Sequence, residues 1–161
     1  MAIRVLITGI TGFVGSHLAE YAITQGAEVW GSCRWRSKTE NIDHMREQLH
    51  LVECDLRDLS SVQHLVEQAA PDYIVHLAAQ SFVASSWHAP AETLYTNSVS
   101  QVNLLEAIRQ GKENAARFLA IGSSGVRAGV RGRIADQGDE SGLERFVHRT
   151  SLSIESGLET C

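Results

Sequence analysis

Three glycines at three-residue intervals, in Thr8-Gly9-Ile10-Thr11-Gly12-Phe13-Val14-Gly15, constrain this chain more than any other feature. They follow a short apolar run, Arg4-Val5-Leu6-Ile7-Thr8, that reads as a buried parallel strand. They open a stretch from Phe13 to Thr24 with apolar residues at helical spacing (Val14, Leu18, Ala22), which stops at Gly26. A strand that turns directly into a helix presents free N–H groups at the helix N-terminus, and these attract an anion. Gly9 permits the tight turn, Gly12 lets the backbone approach a pyrophosphate, and Gly15 lets the helix lie close to the strand. Glycines also punctuate ordinary loops, so the strand-to-helix context carries the reading rather than the triplet alone.

The chain beyond Gly26 keeps alternating. Glu28 to Ser32 and His50 to Cys54 read as strands two and three. Ser60 is the expected cap of a helix from about Ser61 to Ala69, and Pro71-Asp72 turns the chain into a fourth strand, Tyr73 to Leu77. A long helix from about Ala91 to Gln110 precedes a fifth strand, Arg117 to Ile121. Strands alternating with helices predict an α/β fold with a doubly wound parallel sheet of Rossmann type, its ligands at the carboxyl ends of the strands.

With 161 residues, 43% of them hydrophobic and 20% charged, the chain suits one buried core. A net charge of −5 argues against general nucleic-acid binding and against a basic membrane surface. No apolar run reaches the roughly 18–20 residues that span a bilayer, and Met1-Ala2-Ile3-Arg4 enters the first strand with no leader pattern. Cys33, Cys54 and Cys161 lack metal-type spacing and are expected as reduced thiols of a cytoplasmic protein, the first two in the core. The seven histidines form no H-x-x-x-H or H-E-x-x-H pair, so no metal is expected. His76 reads as core or cofactor-side packing, and Trp30, Trp35 and Trp87 are too scattered to stack on nucleic acid.

After strand two, Gly31-Ser32-Cys33-Arg34-Trp35-Arg36-Ser37-Lys38 holds three bases and no acid. An acid at this place takes the ribose 2′-hydroxyl of NAD, whereas an arginine accommodates a 2′-phosphate. Arg34 and Arg36 therefore favour NADP over NAD as the cofactor; the alternative is a solvated basic loop.

These residues resemble a family. Gly9, Thr11, Gly12, Phe13, Val14 and Gly15 match the glycine series of the extended short-chain dehydrogenase/reductases, and Asp55-Leu56 and His76-Leu77-Ala78-Ala79 match two further segments. Ala78-Ala79-Gln80-Ser81-Phe82-Val83 with Ser86-Trp87, Pro90, Thr93 and Asn97 is narrower, resembling the GDP-mannose 4,6-dehydratases and the sister GDP-4-keto-6-deoxy-D-mannose reductases. Gln80-Ser81 leans to the dehydratases and Ile121-Gly122-Ser123-Ser124 to the reductases. The resemblance implies that Gly9 to Gly15 hold the pyrophosphate, Arg34, Arg36 and Ser37 the 2′-phosphate, Asp55 and Leu56 the adenine, and Leu77, Ala78, Ala79, Gln80 and Ser81 the nicotinamide side. It also implies a GDP-sugar substrate, a homo-oligomer in the intact family member, and Ser123 as the catalytic serine that hydrogen-bonds the sugar hydroxyl. In that chemistry a Tyr is the base and a neighbouring Lys lowers its pKa.

The resemblance covers roughly residues 3–124 and then stops. The family continues with Tyr-x-x-x-Lys, yet this chain has no Tyr after Tyr95 and no Lys after Lys112. Residues 125–161 contain one aromatic, Phe146, with six Gly and five Arg. We therefore expect a dinucleotide-binding region over 1–124, an atypical tail over 125–161, and no turnover by the chain alone. The tail is either a genuine divergent segment with little to bury or the product of a shifted reading frame. One allowed codon set for Gly125 to Ser141, read one nucleotide on, gives Glu-Tyr-Gly-Leu-Val-Tyr-Glu-Asp-Glu-Leu-Pro, similar to the family's continuation. Sequencing the gene tests this: codons that leave no open Glu-Tyr-Gly reading refute the shift.

Overall fold

A computed structural model describes residues 2–111 and 116–121. The elements run β1 (Arg4–Thr8), α1 (Phe13–Thr24), β2 (Glu28–Cys33), a 3-10 segment (Asp43–Gln48), β3 (Leu49–Glu53), α2 (Leu59–Ala69), β4 (Tyr73–His76), α3 (Val83–His88), α4 (Pro90–Gln110) and β5 (Arg117–Ala120). All five strands are parallel, in the order β3-β2-β1-β4-β5. The α/β, Rossmann-like sheet expected from the alternation is thus present. The chain winds outward from β1 through β2 to β3, then returns to lay β4 on the other side of β1. That reversal opens a crevice at the carboxyl ends of β1 and β4.

Alternation along β1 divides the core between two faces. Leu6 joins Ile74, Val62, Leu65 and Leu104 beneath α2 and α4, while Ile7 joins Ile10, Ala19, Val29 and Met45 beneath α1 and the 3-10 segment. Among the described residues, no helix is long and apolar enough to cross a membrane.

Several expected details differ. The buried face of α1 is Gly15, Ser16, Ala19 and Ala22, with Leu18 only partly covered and Val14 60% exposed. Small residues are needed there because α1 lies close to the sheet. Gln25 caps α1, and Gly26 follows it at φ +77°, with the Gly26 and Ala27 N–H groups donating to the Ile23 and Ala22 carbonyls. Gly26 is therefore the left-handed residue of a Schellman ending, consistent with its expected stop role.

Asp58, not Ser60, caps α2: its carboxylate accepts the Ser60 and Ser61 N–H groups at 3.2 Å each. The helix therefore begins two residues earlier than expected, at Leu59. Such a cap contributes about 1 kcal/mol. Pro90 rather than Ala91 opens α4, its missing N–H costing nothing in a first turn. The short helix α3 and the 3-10 segment were not foreseen. Cys54 lies in the core as expected, but Cys33 at the end of β2 is only half-buried; both are free thiols.

Candidate functional site

The turn between β1 and α1 is shaped by what cannot fit in it. Gly9 has φ +73°, and a Cβ there would stand 2.9 Å from the Ala78 nitrogen and 3.1 Å from the Leu77 carbonyl carbon. A Cβ on Gly15 would overlap the Gly9 carbonyl oxygen and come within 2.8 Å of the Ile10 Cα. The Gly12 N–H donates to the Gly9 carbonyl at 3.0 Å, closing the turn, and Gly12 caps α1 with no side-chain bond. The expected roles of Gly9 in the turn and of Gly15 in close packing thus have a steric basis. Phe13 is 74% exposed beside Val14, and the Thr11 carbonyl accepts from the Asn41 side chain at 2.9 Å.

Opposite this turn, β4 ends in a hydrogen-bonded chain. The Ala78 N–H donates to Thr8 Oγ1 at 3.3 Å, and Thr8 Oγ1 lies 2.7 Å from His76 Nδ1. His76 Nε2 lies 3.4 Å from Ser100 Oγ, whose hydroxyl donates to the Asn97 carbonyl at 3.3 Å. A neutral ring with its proton on Nε2 satisfies every partner in this chain. Burial drives the His76 pKa down to about 4, because the charged ring would lose its water. His76 is therefore a buried core residue that ties β1, β4 and α4 together. Asn97 also grips the next segment, accepting the Gln80 N–H at 2.7 Å and donating to the Gln80 carbonyl at 3.4 Å. Leu77 and Ala78 are half-buried, while Ala79, Gln80 and Ser81 are exposed.

The other end of the site is a cleft of about 490 Å³ beyond the carboxyl ends of β2 and β3. Arg34, Trp35, Arg36 and Ser37 line one side; Glu53, Cys54, Asp55, Arg57, Asp58 and Ser61 line the other. The Arg34 N–H donates to Ser37 Oγ and the Ser37 N–H to the Arg34 carbonyl, both at 3.0 Å. This closed turn holds Arg36 at φ +57°, a left-handed conformation that costs a residue with a Cβ roughly 1–2 kcal/mol. Asp55 accepts Arg57 through Nε at 3.0 Å, Nη2 at 2.9 Å and the main-chain N–H at 3.0 Å. These bonds, with the charges of Arg57 and Arg34, hold the Asp55 carboxyl below the usual aspartate range.

The structure thus gathers the expected residues into two stations along one sheet edge. Gly9 to Gly15 meet Leu77 and Ala78 at one, and Arg34, Arg36, Ser37 and Asp55 meet at the other. Leu56 is different: its side chain is in the core, and its carbonyl accepts from the Asn103 side chain at 3.0 Å. Ser123 lies outside the described residues, as does the expected tail over 125–161. Trp35, Arg57, Asp58 and Ser61 were not singled out from sequence. Arg57 carried one signal, its position two residues after Asp55 in a turn before a helix. Among the described residues, no three His, Cys, Asp or Glu side chains group to hold a metal.

The family model described as GDP-mannose 4,6 dehydratase matches residues 6–127. A GDP-mannose 4,6-dehydratase of Yersinia enterocolitica is 39% identical over 131 residues, covering 75% of this chain and 35% of its own. The UDP-glucose 4-epimerase of Thermotoga maritima, solved with UDP-glucose, superposes with a TM-score of 0.67 at 30% identity, over 77% of this chain and 39% of that one. The UDP-glucose 4-epimerase of Thermus thermophilus, solved with NAD, does so at 0.61 and 35% identity, over 67% and 34%. The chain spans about a third of the length of the curated relatives it matches. On the extent of the family match and the strand order that accompanies it, the chain belongs to the GDP-mannose 4,6-dehydratase family of the extended short-chain dehydrogenase/reductases.

Proposed function

We propose that the chain is the cofactor-binding part of an NADP-dependent, cytoplasmic nucleotide-sugar dehydratase acting on GDP-mannose. One observation carries the choice of cofactor: the end of β2 puts Arg34 and Arg36, and no acid, into the cleft. The residues present fit a dinucleotide. Gly12, with no side chain at the N-terminus of α1, suits a pyrophosphate, and the arginine cleft lies beyond β2, where the adenosine ribose of such a ligand falls. Asp55 and Leu56 contact the adenine, and Leu77 to Ser81 line the nicotinamide side. When bound, NADP supplies a hydride acceptor for the sugar C4. The chain's own contribution is to hold the segment from Ala78 to Gln80 through Thr8, His76 and Asn97.

By resemblance Ser123 hydrogen-bonds the sugar hydroxyl, and the intact enzyme is a homo-oligomer. The lack of a Tyr/Lys couple in these 161 residues favours a second reading, a dinucleotide-binding module that does not turn over. Thermal unfolding with NADP, NAD and GDP-mannose tests the proposal. NADP at about 100 times its dissociation constant should add about 2.7 kcal/mol of stability, and NAD at the same concentration less. No stabilisation by either dinucleotide refutes the proposal. Further stabilisation by GDP-mannose in the presence of NADP favours the first reading over the second.

A further inference from the structure

We propose that Arg57 is a cofactor-specificity residue, braced by Asp55 so that its guanidinium joins Arg34 and Arg36 in receiving the 2′-phosphate of the dinucleotide. The inference rests on the NADP reading above and adds a residue that neither the glycine series nor the basic run after β2 singles out.

Charge balance and donor geometry in the cleft single out Arg57. Three cations and three carboxylates share the cleft: Arg34, Arg36 and Arg57 against Glu53, Asp55 and Asp58. A dianionic group entering such a cleft gains most beside a carboxylate that is already paired with a cation. Asp58 is engaged in capping α2. Asp55 takes both the side chain and the main chain of Arg57. Stripped of Arg57, Asp55 would turn an unpaired negative charge toward the ligand, although Arg34 still acts on it electrostatically.

The fork geometry leaves capacity to spare. A guanidinium has five N–H donors; Asp55 takes Nε and Nη2, and among the described residues no hydrogen bond takes the others. The backbone bond from the Arg57 N–H to the same carboxylate closes a two-residue turn, so the side chain starts from a fixed base rather than a loose loop. Preorganisation of this kind lowers the ordering cost of binding. Arginine suits the task better than lysine, since a planar fork can serve a carboxylate on one edge and a phosphate on another. The rival role for Arg57 is purely internal, a brace that keeps Asp55 aimed at the adenine.

The two roles part on ligands that differ by one phosphate. Calorimetric titration of the 161-residue chain with adenosine 2′,5′-bisphosphate and with 5′-AMP is the experiment. The wild-type chain should bind the bisphosphate more tightly. Arg57→Gln should weaken the bisphosphate about tenfold or more, the size expected for one charge-assisted hydrogen bond, and leave 5′-AMP within about twofold. Arg57→Lys should fall between. Arg57 is exposed, so an unchanged melting temperature and circular dichroism spectrum are expected and would exclude misfolding as the cause. Equal losses for both ligands, or no loss for either, overturn the proposal. If the wild-type chain does not prefer the bisphosphate, and Arg34→Gln and Arg36→Gln change nothing, the NADP reading itself fails and takes this inference with it. If the preference resides in Arg34 and Arg36 alone, only the role of Arg57 falls.

Discussion

Replacing Gly15 with alanine should lower stability by about 3 kcal/mol and abolish dinucleotide binding. The sign is informative, because intrinsic helix propensity points the other way: alanine in a helix interior is better than glycine by about 1 kcal/mol. Here the added methyl meets backbone. The Gly9 carbonyl oxygen and the Ile10 Cα stand where it would go, and neither can swing aside as a side chain could. Relief requires α1 to lift from the end of β1. That movement also disturbs the Gly12-to-Gly9 bond that closes the turn. Overpacking against fixed atoms costs about 1–3 kcal/mol, and displacement of α1 adds to it. Guanidinium unfolding at neutral pH measures the effect, with Gly26→Ala as the control. Gly26 has open space around it and only its left-handed φ to oppose a methyl, so its loss should be smaller, about 1 kcal/mol. A Gly15→Ala chain more stable than wild type would refute the account of the turn as sterically closed.

Acidification should act on the same corner of the fold through His76. Its folded pKa of about 4 lies below the ordinary value of 6.5, so between these limits the unfolded chain binds a proton that the folded chain does not. Stability from this group is therefore complete above pH 6.5 and is lost progressively as the pH falls toward 4. A shift of this size corresponds to roughly 3 kcal/mol. The physical cause is twofold. A charged ring would be desolvated, and a proton on Nδ1 would face the Thr8 hydroxyl that now donates to it. His76→Gln removes the titration, so the stability difference between wild type and variant should narrow as the pH is lowered from 6.5 to 4. A difference independent of pH across that window would show that His76 does not titrate as a buried neutral group.

The parallel sheet and its glycine turn were legible because each residue there has one dominant constraint. Gly9 needs a positive φ, and a five-residue apolar run before it has nowhere to go but a buried strand. The buried face of α1 was less legible. Spacing suggested Val14, Leu18 and Ala22, but the close approach of the helix selects Gly15, Ser16, Ala19 and Ala22, and closeness is a tertiary property. Ser60 and Asp58 are both capable caps, and only the backbone geometry decides between them. Arg34, Arg36 and Asp55 were singled out one strand at a time, without the pairing of β2 with β3 that brings them into one cleft. Arg57 was missed because its meaning comes from a carboxylate two residues away and a loop twenty residues back. Leu56 is a motif position whose side chain lies in the core, a placement the motif alone does not disclose.

The contact between Thr8 and His76 spans 68 residues of chain. Every non-local pairing of this kind requires loop closure before any contact rewards it, and parallel strands with long crossovers fold slowly for that reason. The glycine turn is written at the very start of the sequence, yet its far wall, Leu77 to Gln80, is supplied by a segment made much later. During synthesis the face of β1 that carries Leu6 must therefore wait until β4 and α4 arrive, whereas Ile7 is covered earlier by α1 and the 3-10 segment. The anion cradle is among the first features encoded and among the last assembled.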